Sequence, residues 1–140
     1  MLMRHTLLST LLVACVACVA ATAHAQTDST GADQAMRTRL KSDLRNLVVA
    51  QEAYYADHSS YADEIAQLHF RASAGSNVQL VVTQNNAWGA VATDAATPGK
   101  SCVIWINLAE KYRPATVRDK YTGTEGQPMC DGDPAPVPKG

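Results

Sequence analysis

The sequence predicts an α+β domain in which one long N-terminal helix packs on a three- to four-stranded antiparallel sheet. Three observations support this fold class. Apolar residues recur every three or four positions over residues 33–57, apolar and polar residues alternate from Val78, and a run rich in β-branched and aromatic residues begins at Cys102. Helical periodicity followed by several strands is typical of one α+β domain.

The first 25 residues have the features of a cleaved signal peptide. Arg4 precedes an apolar stretch over residues 7–21, and an Ala-His-Ala motif ends at Ala25, as a signal peptidase requires. The stretch is shorter than the about 20 residues that span a bilayer. We therefore expect cleavage after Ala25, a periplasmic or secreted protein, and no membrane-spanning helix in the mature chain.

A lipoprotein signal is the alternative interpretation of the same segment. A Leu-Val-Ala-Cys string ends at Cys15 and resembles a lipobox, whose cysteine is acylated. The apolar run continues beyond Cys15 and a peptidase motif follows it, which favours cleavage after Ala25. Acylation at Cys15 would instead make the protein a membrane-tethered lipoprotein of an envelope assembly.

The predicted helix covers residues 33–57 and follows a flexible polar leader at residues 26–32. No Pro or Gly interrupts it, and Asp33 is placed to cap its first amides. Its predicted buried face consists of Met36, Leu40, Leu44, Leu47, Val48 and Tyr55. An amphipathic helix of this length needs an apolar surface to lie across, and we expect that surface to be a sheet.

The remainder of the chain is predicted to contain a polar loop, short strands and a tail. A short helical piece is predicted at 63–68. A strand that begins at Val78 and a strand at 87–93 are predicted to form a hairpin. They are followed by a central strand at 102–106, a strand fragment at 116–118 and a disordered Pro-rich tail at 132–140. The folded domain is therefore expected to span residues 33–131.

The cysteines predict one disulfide. Of the four cysteines, Cys15 and Cys18 lie in the signal peptide, which leaves Cys102 and Cys130 in the mature chain. A remaining pair in an oxidising compartment is expected to be bonded. The bond would close a loop of about 29 residues and stabilise the fold by about 3–4 kcal/mol in the chain-entropy description.

Two stretches of the chain resemble a known family. Residues 36–61 carry an Ala-Gln-Glu-Ala-Tyr segment in a polar helix and end at Tyr61. Ala-Trp-Gly-Ala-Val-Ala-Thr at 87–93 is followed by Pro-Gly-Lys-Ser-Cys-Val-Ile at 98–104. Together these resemble the globular head of type IV pilins and type II secretion pseudopilins. The resemblance implies a pilin-head fold and a role in recognising a protein or a surface.

The chain departs from the pilin pattern at its amino-terminal end. A pilin carries a prepilin peptidase site followed by an apolar, membrane-anchoring helix, and the polar residues 26–32 stand in that place here. The resemblance then implies a free head that does not assemble into a filament. We expect a non-enzymatic module in the cell envelope whose partner is a protein or another envelope component.

Aromatic residues provide a candidate interaction surface. The candidates are Tyr54, Tyr55, Tyr61, Trp88 and Tyr112. Such amphipathic rings are favoured in interfaces. The alternative for the tyrosines is a seam where helix, loop and sheet meet. Of Trp88 and Trp105, one is expected in the core and the other on the outer face of the sheet.

The sequence predicts neither a catalytic site nor a cofactor. The chain has no G-x-S-x-G turn and no glycine-rich phosphate loop, and its net charge of −1 argues against binding to nucleic acid. His58, Asp63 and His69 are weak candidates for metal ligands, but their spacing matches no established motif. A periplasmic protein that binds a small ligand or a metal remains the alternative function.

Overall fold

The computed structural model describes residues 11–84 and 86–135. Its main elements are helix α1 at Leu11–His58 and strands β1 at Ser76–Gln84, β2 at Ala87–Asp94, β3 at Ser101–Ile106 and β4 at Met129–Cys130. The chain divides into two compact units, Met1–Ala35 and Met36–Gly140. The second unit contains the sheet, so the predicted α+β class with an antiparallel sheet is confirmed. Residues 1–10 of the predicted signal peptide and 136–140 of the predicted tail lie outside the described residues.

Helix α1 begins earlier than the sequence predicted. Within the described residues it extends from Leu11 to His58, so Asp33 lies inside the helix and is not its N-terminal cap. Residues 11–32 contain no proline and a single glycine, Gly31. One interior glycine costs about 1 kcal/mol, which is too little to end a helix. The carboxyl-terminal end at His58 agrees with the prediction.

Four of the six residues of the predicted apolar face of α1 are buried in the core of the second unit, whereas Val48 and Tyr55 are half-buried. Met36 is 4% exposed, and Leu40, Leu44 and Leu47 are fully buried. The strand residues that are buried in the same cluster include Val78, Trp88, Ala90, Ala92, Cys102 and Ile104. Because these four helix residues recur every three or four positions, they form one stripe, and its burial holds the helix on the sheet.

The sheet has four antiparallel strands in the order β1-β2-β3-β4. Strands β1 and β2 form the predicted hairpin, and Asn86 enters β2 with a φ of 58°, a conformation that Asn tolerates better than most residues. A bulge between Leu80 and Val82 interrupts the register of this hairpin. The register is otherwise regular from Ser76 to Leu80, so the first half of β1 is a straight ladder.

The strand fragment predicted at 116–118 is wrong. Residues 117–119 form a turn, in which the backbone N–H of Val117 donates to Ser101 Oγ and that of Arg118 to Asp131 Oδ1. These side-chain acceptors take the place of a neighbouring strand. The fourth strand is β4 instead, which pairs Cys130 with Cys102 of β3.

The segment after β3 crosses the sheet face opposite α1. Ala87, Trp105 and Leu108 form a second buried cluster on that face. A Cβ built at Gly89, which pairs with Trp105, would lie 2.9 Å from Pro114 Cδ. Only a glycine permits so close an approach of the segment to the sheet. Both faces of the central strands are therefore covered.

Candidate functional site

The loop that follows α1 is fixed to the helix by a buried glutamine. Gln51 is fully buried, its Nε2 donates to the Ala62 carbonyl at 3.0 Å, and its Oε1 accepts from the Ala62 N–H at 2.9 Å. This pair of bonds satisfies both backbone groups of a buried loop residue. The loop thus leaves the helix end in one defined position.

A second anchor lies at the far end of the same loop. Asp43 is 2% exposed, and its carboxylate accepts from the Ser73 hydroxyl at 2.7 Å and from the Ser73 N–H at 3.2 Å. Hydrogen bonds to an ionised acceptor are stronger than neutral ones. Residues 59–75 are therefore fixed at two points, which makes the surface beside the helix end a preformed one.

Replacement of Gln51 tests this clamp. We expect Gln51→Leu to lower the free energy of unfolding by about 2 kcal/mol, because the Ala62 N–H and C=O lose their buried partners. The exposed Gln127→Leu is the matched control, and we expect a change below about 0.5 kcal/mol for it. Urea denaturation measures both values, and amide exchange at Ala62 should accelerate in Gln51→Leu alone. Equal stabilities of the two variants would contradict the clamp.

The predicted tyrosines come together at the end of α1. The Tyr54 ring stacks on the His58 imidazole, with 3.9 Å between ring centroids, and His58 Nδ1 donates to the Tyr54 carbonyl at 2.9 Å. Tyr55 and Tyr61 have ring centroids 4.8 Å apart. All three tyrosines are half-buried, so each has one side toward the protein and one toward solvent.

Tyr61 joins the loop to both the helix and the core. Its hydroxyl donates to Glu52 Oε1 at 2.8 Å, and its ring meets the Trp88 ring edge-on at 6.3 Å. Burial and the hydrogen bond to Glu52 raise the pKa of Tyr61 to about 12. The phenol is therefore neutral at physiological pH and acts as a donor that positions the loop.

The remaining aromatic candidates do not belong to this cluster. Trp88 is fully buried and Trp105 is 5% exposed, so the predictions of Trp88 as a contact residue and of one tryptophan on an outer surface are wrong. Trp105 is covered because the segment after β3 crosses it, with the Arg113 guanidinium 4.0 Å from its ring centroid. Tyr112 is 42% exposed, but it lies on the turn at Glu110–Tyr112 that follows β3.

An open groove lies between the end of α1 and the clamped loop. We call this cavity of about 350 Å³ the helix-end groove; its lining residues are Asn46, Val49, Ala50, Ala53, Tyr54, Asp57, His58, Gln67, Leu68 and His69. Val49 is 69% exposed, more than Val117 at 48% and Val81 at 46%. Ala50, Ala53 and Leu68 are further apolar residues that line the groove. Polar side chains line it as well.

A second, polar concavity adjoins the groove. Its volume is about 440 Å³, and its lining residues are Tyr54, Ser60, Tyr61, Asp63, Gln67, Thr83, Gln84 and Asn86. Tyr54 and Gln67 line both cavities, so they separate one from the other. Gln67 is fixed there because its Oε1 accepts from the N–H groups of Asp63 and Glu64 at 3.0 and 3.1 Å.

Among the described residues that line the groove, Asp57 is acidic and none is Lys or Arg, although exposed Arg45 and Arg71 lie at the two ends of the neighbouring segment. Residues 46–70 contain Glu52, Asp57, Asp63 and Glu64, and no Lys or Arg. Asp57 lies in the last turn of α1, where a negative charge opposes the partial negative charge of the helix end and lowers helix stability. Helix stability therefore does not explain Asp57, whereas Glu52 accepts a hydrogen bond from Tyr61 and Glu64 takes part in a capping box of the short turn at Ile65–Gln67.

The weak metal candidates are divided between the two cavities. His58 and His69 line the helix-end groove, and Asp63 lines the polar concavity. Within residues 11–84 and 86–135 no group of three or more His, Cys, Asp or Glu side chains is arranged to hold a metal ion. Val49 was not predicted as a site residue, although an apolar residue off the buried stripe was a signal. Gln51 was not predicted either, because its burial has no sequence signal.

The predicted disulfide between Cys102 and Cys130 is present, and both cysteines are fully buried. The residues that follow it are held as well. Gly132 N–H donates to Asp119 Oδ2 at 2.6 Å, and Lys41 Nζ of α1 lies 2.8 Å from Asp133 Oδ2. Residues 132 and 133 are thus held by the rest of the fold, although they were predicted to belong to the disordered tail.

Comparison with known proteins leaves the family open. No protein-family model, no curated protein and no solved structure matches the chain. In the described part of the chain, no helix combines the length and the apolar character needed to cross a membrane.

Proposed function

We propose that this chain is an exported, non-enzymatic interaction module of pilin-like architecture that docks on a protein of the cell envelope through the helix-end groove. The observation that carries the proposal is Val49, an apolar side chain that is 69% exposed and lines a concave surface together with Ala50, Ala53 and Leu68. Exposed apolar surface with a polar border is typical of protein interaction sites. The partner in this proposal contributes an apolar side chain beside Lys or Arg.

The helix side of the groove has room for an inserted side chain. Ala50 and Ala53 are small and flank Val49, so the helix surface leaves room above it. The half-buried ring of Tyr54 forms one wall, and an aromatic wall adds contact area at little cost in conformational entropy. A single apolar anchor of the partner, in such a pocket, accounts for much of the binding energy in many interfaces.

The charge around the groove favours a basic partner. Asp57 lines the groove, Asp63 and Glu64 lie on the loop beside it, and none of the described residues that line the groove is Lys or Arg. Complementary charge accelerates encounter and excludes acidic competitors. Binding through this surface should therefore weaken as salt concentration rises.

The loop anchors support a docking role because a preformed surface loses little entropy on binding. Gln51 and Asp43 fix the loop, and Gln67 is fixed within it. Export and the pilin-like character rest on the signal-peptide features and on the resemblance of residues 34–131. The α+β order, with one helix before an antiparallel sheet and a late disulfide, is compatible with that resemblance.

Site-specific crosslinking in the cells that produce the protein tests the proposal. A photoreactive benzoylphenylalanine at Val49 should form a discrete adduct, because the side chain there meets the partner. The matched control is Val117, another exposed valine at 48%, which lies outside the groove. Mass spectrometry should locate the Val49 adduct in a Lys- and Arg-rich segment of the partner. Absence of an adduct at Val49, or the same adducts at both positions, would overturn the proposal.

A further inference from the structure

The two edges of the sheet differ in how far they are protected. Strand β4 consists of two residues, Met129–Cys130, and the disulfide attaches it to β3. Strand β1, Ser76–Gln84, forms the opposite edge and is nine residues long. A long edge strand presents a row of backbone donors and acceptors that can pair with another strand.

Strand β1 lacks the usual side-chain protection of an edge. No Lys, Arg, Asp, Glu or Pro occurs between residues 72 and 93. Charged residues and prolines are the common devices that prevent edge pairing. Val81, at the bulge, is in addition 46% exposed. The composition of this edge therefore permits an added strand.

The outer side of β1 has free backbone groups in the described structure. Arg39 Nε donates to the Ser76 hydroxyl at 3.3 Å at the start of the strand. From Asn77 to Gln84, the described backbone hydrogen bonds join β1 to β2 and to no other described segment. Groups that point away from β2 are thus left to solvent or to a second strand.

We infer that β1 pairs in antiparallel fashion with β1 of a second copy of this chain. In a two-fold antiparallel pairing the central residue faces its own copy and the residues on either side of it face each other, so a strand with charges of one sign would bring like charges together. A neutral strand avoids that repulsion. Asn77 and Gln79 are exposed on the outer face, and their amides both donate and accept, which makes them complementary to each other.

The pairing uses the straight half of β1. The bulge between Leu80 and Val82 bends the strand, which leaves residues 76–80 as the regular segment. Centred on Val78, a two-fold pairing places Asn77 opposite Gln79 of the second copy. A contact of this length buries less area than a standard interface, so the dimer dissociates on dilution.

Sedimentation velocity on the mature chain from about 10 µM to about 1 mM tests this inference. We expect association within that range, together with slower amide exchange confined to residues 76–84 at the high concentration. The variant Asn77→Lys/Gln79→Lys places Lys opposite Lys and should weaken association at least tenfold. Thr124→Lys/Gln127→Lys adds the same charge at exposed positions on the disulfide-bounded loop and should leave association unchanged.

Thermal unfolding measured by circular dichroism establishes that both double variants fold. If Asn77→Lys/Gln79→Lys does not fold, the single variant Gln79→Lys replaces it in the association measurement. A wild-type chain that stays monomeric at about 1 mM would overturn the inference. So would a dimer whose exchange protection lies outside β1, or one that both double variants weaken equally. Because β1 edge pairing and the helix-end groove involve different surfaces, the outcome is independent of the proposed function.

Discussion

Loss of the Cys102–Cys130 disulfide should lower the free energy of unfolding by about 3–4 kcal/mol. The two cysteines are 28 positions apart, and the bond restricts the unfolded chain over that whole segment. It also joins β3 to β4, which has only two residues. A small domain has a total stability of about 5–15 kcal/mol, so this loss is a large fraction of it.

Two comparisons separate the crosslink from the packing of the sulfur atoms. Reduced wild-type protein keeps both sulfurs in the core, whereas Cys102→Ala/Cys130→Ala removes them and leaves a cavity. We expect urea denaturation of the reduced wild type to give most of the loss, and the double variant to be slightly less stable still. A reduced protein within about 1 kcal/mol of the oxidised one would contradict the assigned role of the disulfide.

Asp131→Asn should destabilise the protein by about 3 kcal/mol, although it changes one atom of the side chain. Asp131 is 1% exposed, and its carboxylate accepts from the N–H groups of Ser101, Arg118 and Asp119 at 2.8, 2.9 and 2.7 Å. An asparagine turns an NH₂ group toward at least one of these donors. The exposed Glu110→Gln is the control, and equal urea midpoints for the two variants would contradict this role.

The buried carboxylate of Asp131 should make the free energy of unfolding depend on pH. Burial alone would raise the pKa of Asp131, but hydrogen bonds from the backbone of Asp119 and Ser101, the Thr116 hydroxyl and the Arg118 backbone lower it overall from 3.8. Folding therefore favours the ionised form. Its contribution is complete above the unfolded pKa and is lost as pH falls through the lower folded value. Acid titration of stability should show a smaller fall in Asp131→Asn than in the wild type.

Local patterns predicted the elements that depend on local sequence. The end of α1, the buried stripe from Met36 to Leu47, the hairpin and β3 follow from periodicity and turn residues. The disulfide followed from the count of cysteines. The early start of α1 was not predicted, because residues 26–32 are polar and contain Gly31, a composition that is typical of a loop.

Features that depend on distant contacts could not be predicted. Trp88 and Trp105 are both buried because α1 covers one face of the sheet and the segment with Pro114 covers the other. Nothing near either tryptophan in sequence indicates that second cover. The two-residue strand β4 is likewise too short to have a periodicity, and its place is set by the disulfide and by Asp131.

The candidate site was predicted in part. The sequence predicted Tyr54, Tyr55 and Tyr61 together at the helix end. In the structure the Tyr54 ring contacts His58, and the Tyr55 ring contacts Tyr61. The groove itself was not predicted, because it exists only once Gln51 holds the loop against the helix. A buried glutamine and an exposed valine are both exceptions to the polarity pattern, and such exceptions are typical of functional surfaces.

The most direct test of the groove as a docking site is the yield of the Val49 crosslink when one charge beside it is removed. Asp57→Asn neutralises a carboxylate that lines the groove, and Glu110→Gln removes an exposed carboxylate outside it. A basic partner predicts a yield lower by about two- to fivefold in Asp57→Asn and unchanged in Glu110→Gln. Equal yields in both variants would contradict charge complementarity at this surface, and the absence of any Val49 crosslink would contradict docking there.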